Sequence, residues 1–265
     1  MLINPQPTLA NIGGKALQLD RLKSRFNVPD YFVLLFEQRA ELNDPAVQRQ
    51  ILDECEKRGF DSMAVRSSAS CEDLINTSFA GMFETILNTT HSNVISAIDA
   101  VLNSVSSLRV QEYCKTQKID VKQIQMAVII QKQVDSRISG VCFSRTPENT
   151  ELLLIEACYG LGEALVSGLV SPDSYLIDRS TGVILSESVG YQKVMFACSS
   201  GNVPVDVPFH CRNAKKLADN EITKVADVSK KIEDYLQFGS ADVEWSIEGD
   251  ILFILQARPW SGFHL

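Results

Sequence analysis

At 265 residues, 45% of them hydrophobic and 22% charged, the chain can form one large domain or two joined lobes, and disorder throughout is excluded. Its 33 acidic residues outnumber 25 basic ones, for a formal charge of −8. That excludes a general nucleic-acid or anionic-membrane coat but not an anionic ligand held by a few convergent cations. No run reaches the roughly 18 to 20 apolar residues of a bilayer span, and the opening MLINPQPTLANIGGK has no secretory pattern. Seven cysteines without a CxxC pair, and three histidines without zinc spacing, predict reduced thiols in a cytoplasmic protein and no structural zinc.

After Gly13-Gly14, the residues Ala16, Leu19, Leu22 and Phe26 fall at helical spacing and predict a helix over 15–26, broken by Val28-Pro29. A second helix is predicted over 46–58, stopped by Gly59. Residues 63–65 read as a short strand feeding a polar loop from Arg66 to Ser70. Val94, Ile98, Val101, Val105 and Leu108 mark one amphipathic helix over 93–113, with a packing face that could link two lobes. From Gln125 the character changes, and the stretches 126–131, 140–144 and 152–157 are short, apolar and rich in β-branched residues. Residues 175–178 and 183–185 flank a Thr181-Gly182 turn as a hairpin. Pro204 and Pro208 argue against a central strand within 191–210, and 222–236 reads as a helix with Ile222, Val225, Val228 and Ile232 inward. The pattern predicts a mixed α/β or α+β protein with a boundary near residues 115–124.

The stretch DVEWSIEGDILFILQARP predicts a hairpin. A three-residue turn, Glu248-Gly249-Asp250, pairs Ile247 with Ile251, Asp242 with Gln256 and Glu244 with Ile254. This register sets Val243, Trp245, Ile247, Ile251, Phe253, Leu255 and Ala257 on one face, and Asp242, Glu244, Gln256 and Arg258 on the other. Asp242 and Glu244 supply hard oxygen ligands suited to Mg²⁺, and Gln256 and Arg258 can address phosphate oxygens or orient a metal-bound group. A salt-bridged outer sheet face is the alternative reading.

Gly13-Gly14-Lys15 can bring backbone close to a phosphate and add a movable cation, or simply begin a helix. Arg66 with Ser67 and Ser68 offers a five-donor cation and two hydroxyls, or an ordinary exposed arginine. Ser78-Phe79-Ala80-Gly81 could cover phosphates or cap a helix. Glu156, shortly before Gly160-Leu161-Gly162, could bind a ribose hydroxyl or a metal-bound water, or be a plain edge carboxylate.

In order, IGGKALQLDRL, AVRSSASCEDLINTSFAGMFETILN, MAVIIQKQVDSRISGVCFS, IEACYGLGEALVSGLVSPDSYLID and ADVEWSIEGDILFILQARP resemble the ATP-binding domain of the phosphoenolpyruvate synthase, pyruvate phosphate dikinase and rifampin phosphotransferase group, across about residues 11 to 259. The resemblance implies an α+β, two-lobed ATP-grasp fold with mixed or antiparallel sheets and flanking helices. Residues 1–120 would form the lobe with the phosphate-gripping lysine and arginine, and 121–265 the lobe with adenine and Mg²⁺ sites. It implies ATP and Mg²⁺ as cofactors and catalytic roles for Lys15, Arg66 and Arg258. Ser78 to Gly81 would cover the phosphates. The Gln131 to Val134 segment, through backbone around Lys132, Gln133 and Val134, would read adenine, and Glu156 would contact the nucleotide. Glu244, Gln256 and nearby Asp242 would hold metal, with Gln256 and Arg258 serving metal or phosphate binding and phosphoryl transfer.

In the complete enzymes a histidine relays the phosphoryl group to a second substrate, leaving AMP and phosphate. None of His91, His210 or His264 lies in a glycine-rich phosphohistidine segment, and the sequence ends six residues after Pro259, where a linker to such a domain would begin. The N-terminal lobe is also compressed, and SRTPEN departs from the usual proline-x-threonine-glycine form. The implied partners are therefore ATP, a phosphohistidine domain in cis or in trans and an unidentified small-molecule acceptor. A stand-alone ATP-dependent kinase and a catalytically silent ATP-sensing or interaction module are the alternatives.

Overall fold

The computed structural model describes residues 9–71, 81–201 and 203–260. Ser78 and His264 lie outside the described residues. The chain divides into two compact units, one of Met1–Asp20 with Pro29–Gln133 and one of Arg21–Val28 with Val134–Leu265. The fold is mixed α/β, and the strand pairs are antiparallel.

In the first unit, α1 (Leu9–Leu22, running just into the second) and α2 (Pro45–Lys57) accompany β1 (Tyr31–Leu34), β2 (Met63–Ala69) and β3 (Thr85–Thr89). Then come α3 (Val94–Asn103), α4 (Leu108–Gln117) and β4 (Met126–Lys132), and the four strands form a sheet in the order β1-β4-β2-β3. The rise in β-branched residues after Gln125 assigned residues 126–131 to the second half. The strand instead pairs with β1 and β2, so the passage to the second unit falls after Gln133. Helix α1 starts upstream of its predicted beginning, because Gly13 interrupts it at φ +74 rather than preceding it. Asp44 caps α2 by accepting from Ala46 N at 2.8 Å. The helix predicted over 93–113 is broken at Ser104–Ser106, where Ser104 Oγ donates to Val101 O at 2.6 Å and Ser107 caps α4. Val94, Ile98, Val101 and Val105 are buried with Ile51, Phe60, Val65 and Ile130, whereas Leu108, beyond the break, is 77% exposed. The predicted inward face thus ends at the break.

The second unit carries β5 (Ile138–Phe143), β6 (Leu152–Tyr159), the short α5 (Glu163–Val166), β7 (Asp173–Asp178) and β8 (Ile184–Ser188). It continues with β9 (Val194–Met195), β10 (Val205–Asp206), α6 (Asp219–Leu236), β11 (Ala241–Glu248) and β12 (Ile251–Pro259). Six strands form one sheet in the order β12-β11-β5-β6-β7-β8, and β9 pairs only with β10, as two prolines within 191–210 require. Ile222, Val225 and Ile232 of α6 pack with Ile155, Tyr175, Val243 and Trp245 of the sheet. The SRTPEN segment ties this helix down. Arg145 and Arg179 both donate to Glu233, whose side chain is 3% exposed. Among the described residues no helix is long and apolar enough to cross a membrane, and all seven cysteines are free thiols.

Candidate functional site

In the first unit the site residues gather where α1 meets β2. Arg66, Ser67 and Ser68 were expected in a loop after a short strand; they lie inside β2, and Arg66 is 8% exposed. Buried hydroxyls and a buried guanidinium need partners, and these come from far along the chain. Lys15 Nζ donates to Ser67 Oγ at 3.1 Å. Ser68 Oγ donates to Ile12 O at 2.6 Å and accepts from Ala16 N at 3.0 Å, so the hydroxyl sits inside the kink at Gly13. A Cβ on Gly13 would overlap the Ser68 carbonyl, which explains a glycine there beyond its positive φ. Arg66 Nη1 donates to the Gln131 side-chain oxygen at 3.1 Å. Gly81 is exposed at φ +66. Ser68→Ala strands two backbone groups of α1 and is expected to lower stability by about 2 kcal/mol, read as a fall in the urea midpoint at unchanged slope.

Around Gln131 to Val134 much of the backbone is committed. Lys132 N donates to Asp30 O at 2.8 Å and Gln133 N to Ser62 O at 2.9 Å. The Val134 carbonyl accepts from Ser136 N at 2.9 Å, from Ser136 Oγ at 3.3 Å and from Cys198 Sγ at 3.1 Å. The Val134 N–H makes no hydrogen bond among the described residues. Sequence reasoning missed a group of buried serines in the second unit. Ser136 and Ser246 bond to each other, and Ser139 Oγ donates to Gly160 O at 2.7 Å. The alternation of β11, which makes Ser246 the next polar position after Asp242 and Glu244, is the signal that could have found them.

In the second unit the C-terminal hairpin corrects the predicted register. Asp242 faces Arg258 and Glu244 faces Gln256, and Trp245 then faces Ile254, with a bulge where the register shifts between Glu244 and Trp245. The turn is closed by Glu248 facing Ile251, so Gly249 and Asp250 alone connect the strands. The bulge exchanges the faces of the outer half of β12. Leu252 and Ile254 enter the core, while Ile251, Phe253 and Leu255 do not, against the expected inward set. Asp242, Glu244, Gln256 and Arg258 nevertheless share one face.

That face extends across the sheet. Glu244 pairs with Val141 of β5, which pairs with Glu156 of β6, so Gln256, Glu244 and Glu156 stand in one row across four strands. In the adjoining row Arg258 donates Nε and Nη2 to Asp242 Oδ2 at 2.8 and 2.6 Å. Asp242 is buried, and its other oxygen, Oδ1, has no hydrogen-bond partner among the described residues. Burial raises the Asp242 pKa above the usual carboxylate range; Arg258 opposes the rise and Glu244 adds to it. Burial alone raises Glu156. An orphaned buried carboxylate oxygen beside a second carboxylate and a buried amide is a donor set that fits Mg²⁺, a hard cation held by one or two carboxylates plus ligand oxygens. Among the described residues no three His, Cys, Asp or Glu gather as a metal cluster, so such a metal would draw its remaining ligands from elsewhere.

The model of the family described as pyruvate phosphate dikinase, AMP/ATP-binding domain, matches residues 44–263. The chain belongs to this family. As a pyruvate phosphate dikinase-type AMP/ATP-binding domain it is similar to a probable phosphoenolpyruvate synthase of Methanothermobacter thermautotrophicus, 37% identical over 211 residues, 77% of this chain and 31% of the relative. It is also similar to a rifampicin phosphotransferase of Bacillus subtilis, 34% identical over 208 residues, 74% of this chain and 23% of that one. The chain thus spans less than a third of the length of these curated relatives. The D-alanine–D-alanine ligase of Helicobacter pylori aligns over 94% of this chain and 54% of its own at 13% identity and a TM-score of 0.46, too distant a likeness to decide the fold. Lys15 precedes the matched span, which contains Arg66, Glu156, Glu244, Gln256 and Arg258.

Proposed function

We propose that this domain is the nucleotide-holding part of a dikinase-type phosphotransferase of ATP-grasp architecture. It holds Mg-ATP and presents the polyphosphate to a phosphohistidine domain, in the same polypeptide or a separate one, that serves a small-molecule acceptor. The observation that carries the reading is the polar face of the second unit's sheet. There Glu156, Glu244 and Gln256 form one row, and next to it Asp242 keeps a buried oxygen without a partner among the described residues. Glu244, Gln256 and Asp242 would hold Mg²⁺, which when bound neutralises and orients the phosphate oxygens.

The chain's own groups do the rest. Asp242 grips Arg258 through Nε and Nη2 and so fixes the plane of the guanidinium, which is 32% exposed and meets developing negative charge without reorganising. Lys15, steadied by Ser67, and Arg66 supply the other cations that a transferring phosphoryl group requires. The ordered, partly committed backbone from Lys132 to Val134 supports base recognition by main-chain groups, which needs no basic surface and is compatible with a net charge of −8.

The test is ³¹P NMR of Mg-ATP with the chain, alone and with a phosphohistidine domain from a relative. AMP and inorganic phosphate formed only with the second domain is the expected result. ADP as the sole product would overturn the reading in favour of a simple kinase or ATPase. Nucleotide held but unconverted in both samples would favour a sensing module.

A further inference from the structure

Gln131 lies on β4, two residue pairs along from Arg66 on β2. Ala64 faces Gln131 and Arg66 faces Ile129, so the Arg66 and Gln131 side chains project from the same face of the first unit's sheet. Gln131 is 2% exposed and both ends of its amide are used. The oxygen accepts from Arg66 Nη1 at 3.1 Å, and Nε2 donates to the Pro29 carbonyl at 3.4 Å. The reverse orientation would set an NH₂ group against a guanidinium and an oxygen against a carbonyl, so the chemistry of the neighbours fixes the amide.

An amide is also the acceptor that suits a phosphate-gripping arginine. A carboxylate at this position would hold Arg66 more tightly but cancel its charge in a buried setting. A neutral oxygen aims the guanidinium without adding a counter-charge of its own.

We infer that Gln131 is a positioning residue for Arg66: it acts on the polyphosphate end of the nucleotide, through the arginine, and not on the base. The inference rests on the proposed role of Arg66 in gripping ATP. It also separates Gln131 from Lys132 and Val134, with which it stands in sequence.

The experiment compares Mg-ATP and adenosine binding by calorimetry for the full chain and for Gln131→Met, Gln131→Glu, Arg66→Met and the Gln131→Met/Arg66→Met pair. Gln131→Met is expected to weaken Mg-ATP about ten-fold and to leave adenosine within about two-fold. Gln131→Glu should weaken Mg-ATP at least as much, although it keeps the acceptor, because it adds a negative charge beside Arg66. In the Arg66→Met background, Gln131→Met should add nothing. Equal losses of ATP and adenosine, additive losses in the double variant, or unchanged ATP binding would each overturn the inference. A second readout needs no nucleotide: the Arg66 Nη1 ¹⁵N–¹H signal should be protected from exchange in the parent chain and lose protection in Gln131→Met. A parent chain that binds no nucleotide yet shows this change would defeat the ATP reading and retain the pairing. Absence of the change would defeat the pairing itself.

Discussion

Glu244→Gln is expected to cut Mg²⁺-dependent nucleotide turnover by about 100-fold or more while leaving the melting temperature nearly unchanged. Glutamine is close to isosteric, and Glu244 is half-buried on the polar face, away from the Val243 and Trp245 side chains that fill the core. What changes is charge. The row through Glu156 and Gln256 loses its central carboxylate, and the need for Mg²⁺ should rise along with the loss of rate. The same substitution removes one of the influences that hold the Asp242 carboxyl above its usual range, so the ¹³C titration of Asp242 should move to lower pH. Turnover equal to the parent's across a Mg²⁺ titration would rule out Glu244 as a metal ligand.

Gly140→Ala should produce the largest loss of stability, about 3 kcal/mol or more. Gly140 sits in β5 on the core face, facing both Trp245 of β11 and Ala157 of β6. A Cβ there would overlap the Glu156 carbonyl and press on the Trp245 ring. Neither neighbour can yield cheaply, because one is backbone and the other is a 1% exposed indole packed in the core. The strand that must move is the one that carries Glu156, so the damage should reach the site as well. Denaturant unfolding followed by Trp fluorescence measures the first effect. A normal unfolding midpoint would mean that the sheet repacks around the methyl group.

What the sequence disclosed, and what it concealed, follow the range of the interactions involved. Strict alternation in DVEWSIEGD put Asp242 and Glu244 on one face and Val243 and Trp245 on the other, and local alternation is sufficient evidence for that. The bulge at Leu255 is not written in any local pattern, because ILFILQARP is apolar at nearly every early position and fits two registers equally well. Only the packing of Ile254 beside Trp245 chooses between them. Arg66, Ser67 and Ser68 read as a loop because polar residues seldom occupy a buried strand; what keeps them there is Lys15, Ile12, Ala16 and Gln131, each more than fifty residues away. The long helix over 93–113 failed at Ser104, whose hydroxyl turns back onto its own helix, a short-range choice that hydrophobic periodicity does not register.

The second unit also contains Arg21–Val28, a piece of chain from near the amino end. Leu22 is fully buried in that unit's core, with Phe26 and Val28 packed against it. Asn27 accepts from Ile254 N at 2.8 Å and donates from its side chain to Leu252 O at 3.3 Å, closing hydrogen-bonding positions on β12, the outermost strand. The unit is therefore not a cassette that can be excised at Gln133. A fragment begun at Val134 would carry an open strand rim and a vacant slot where a leucine belongs, which is the recipe for sticking to its own copies. Any transplant of this half between proteins has to bring the borrowed stretch with it.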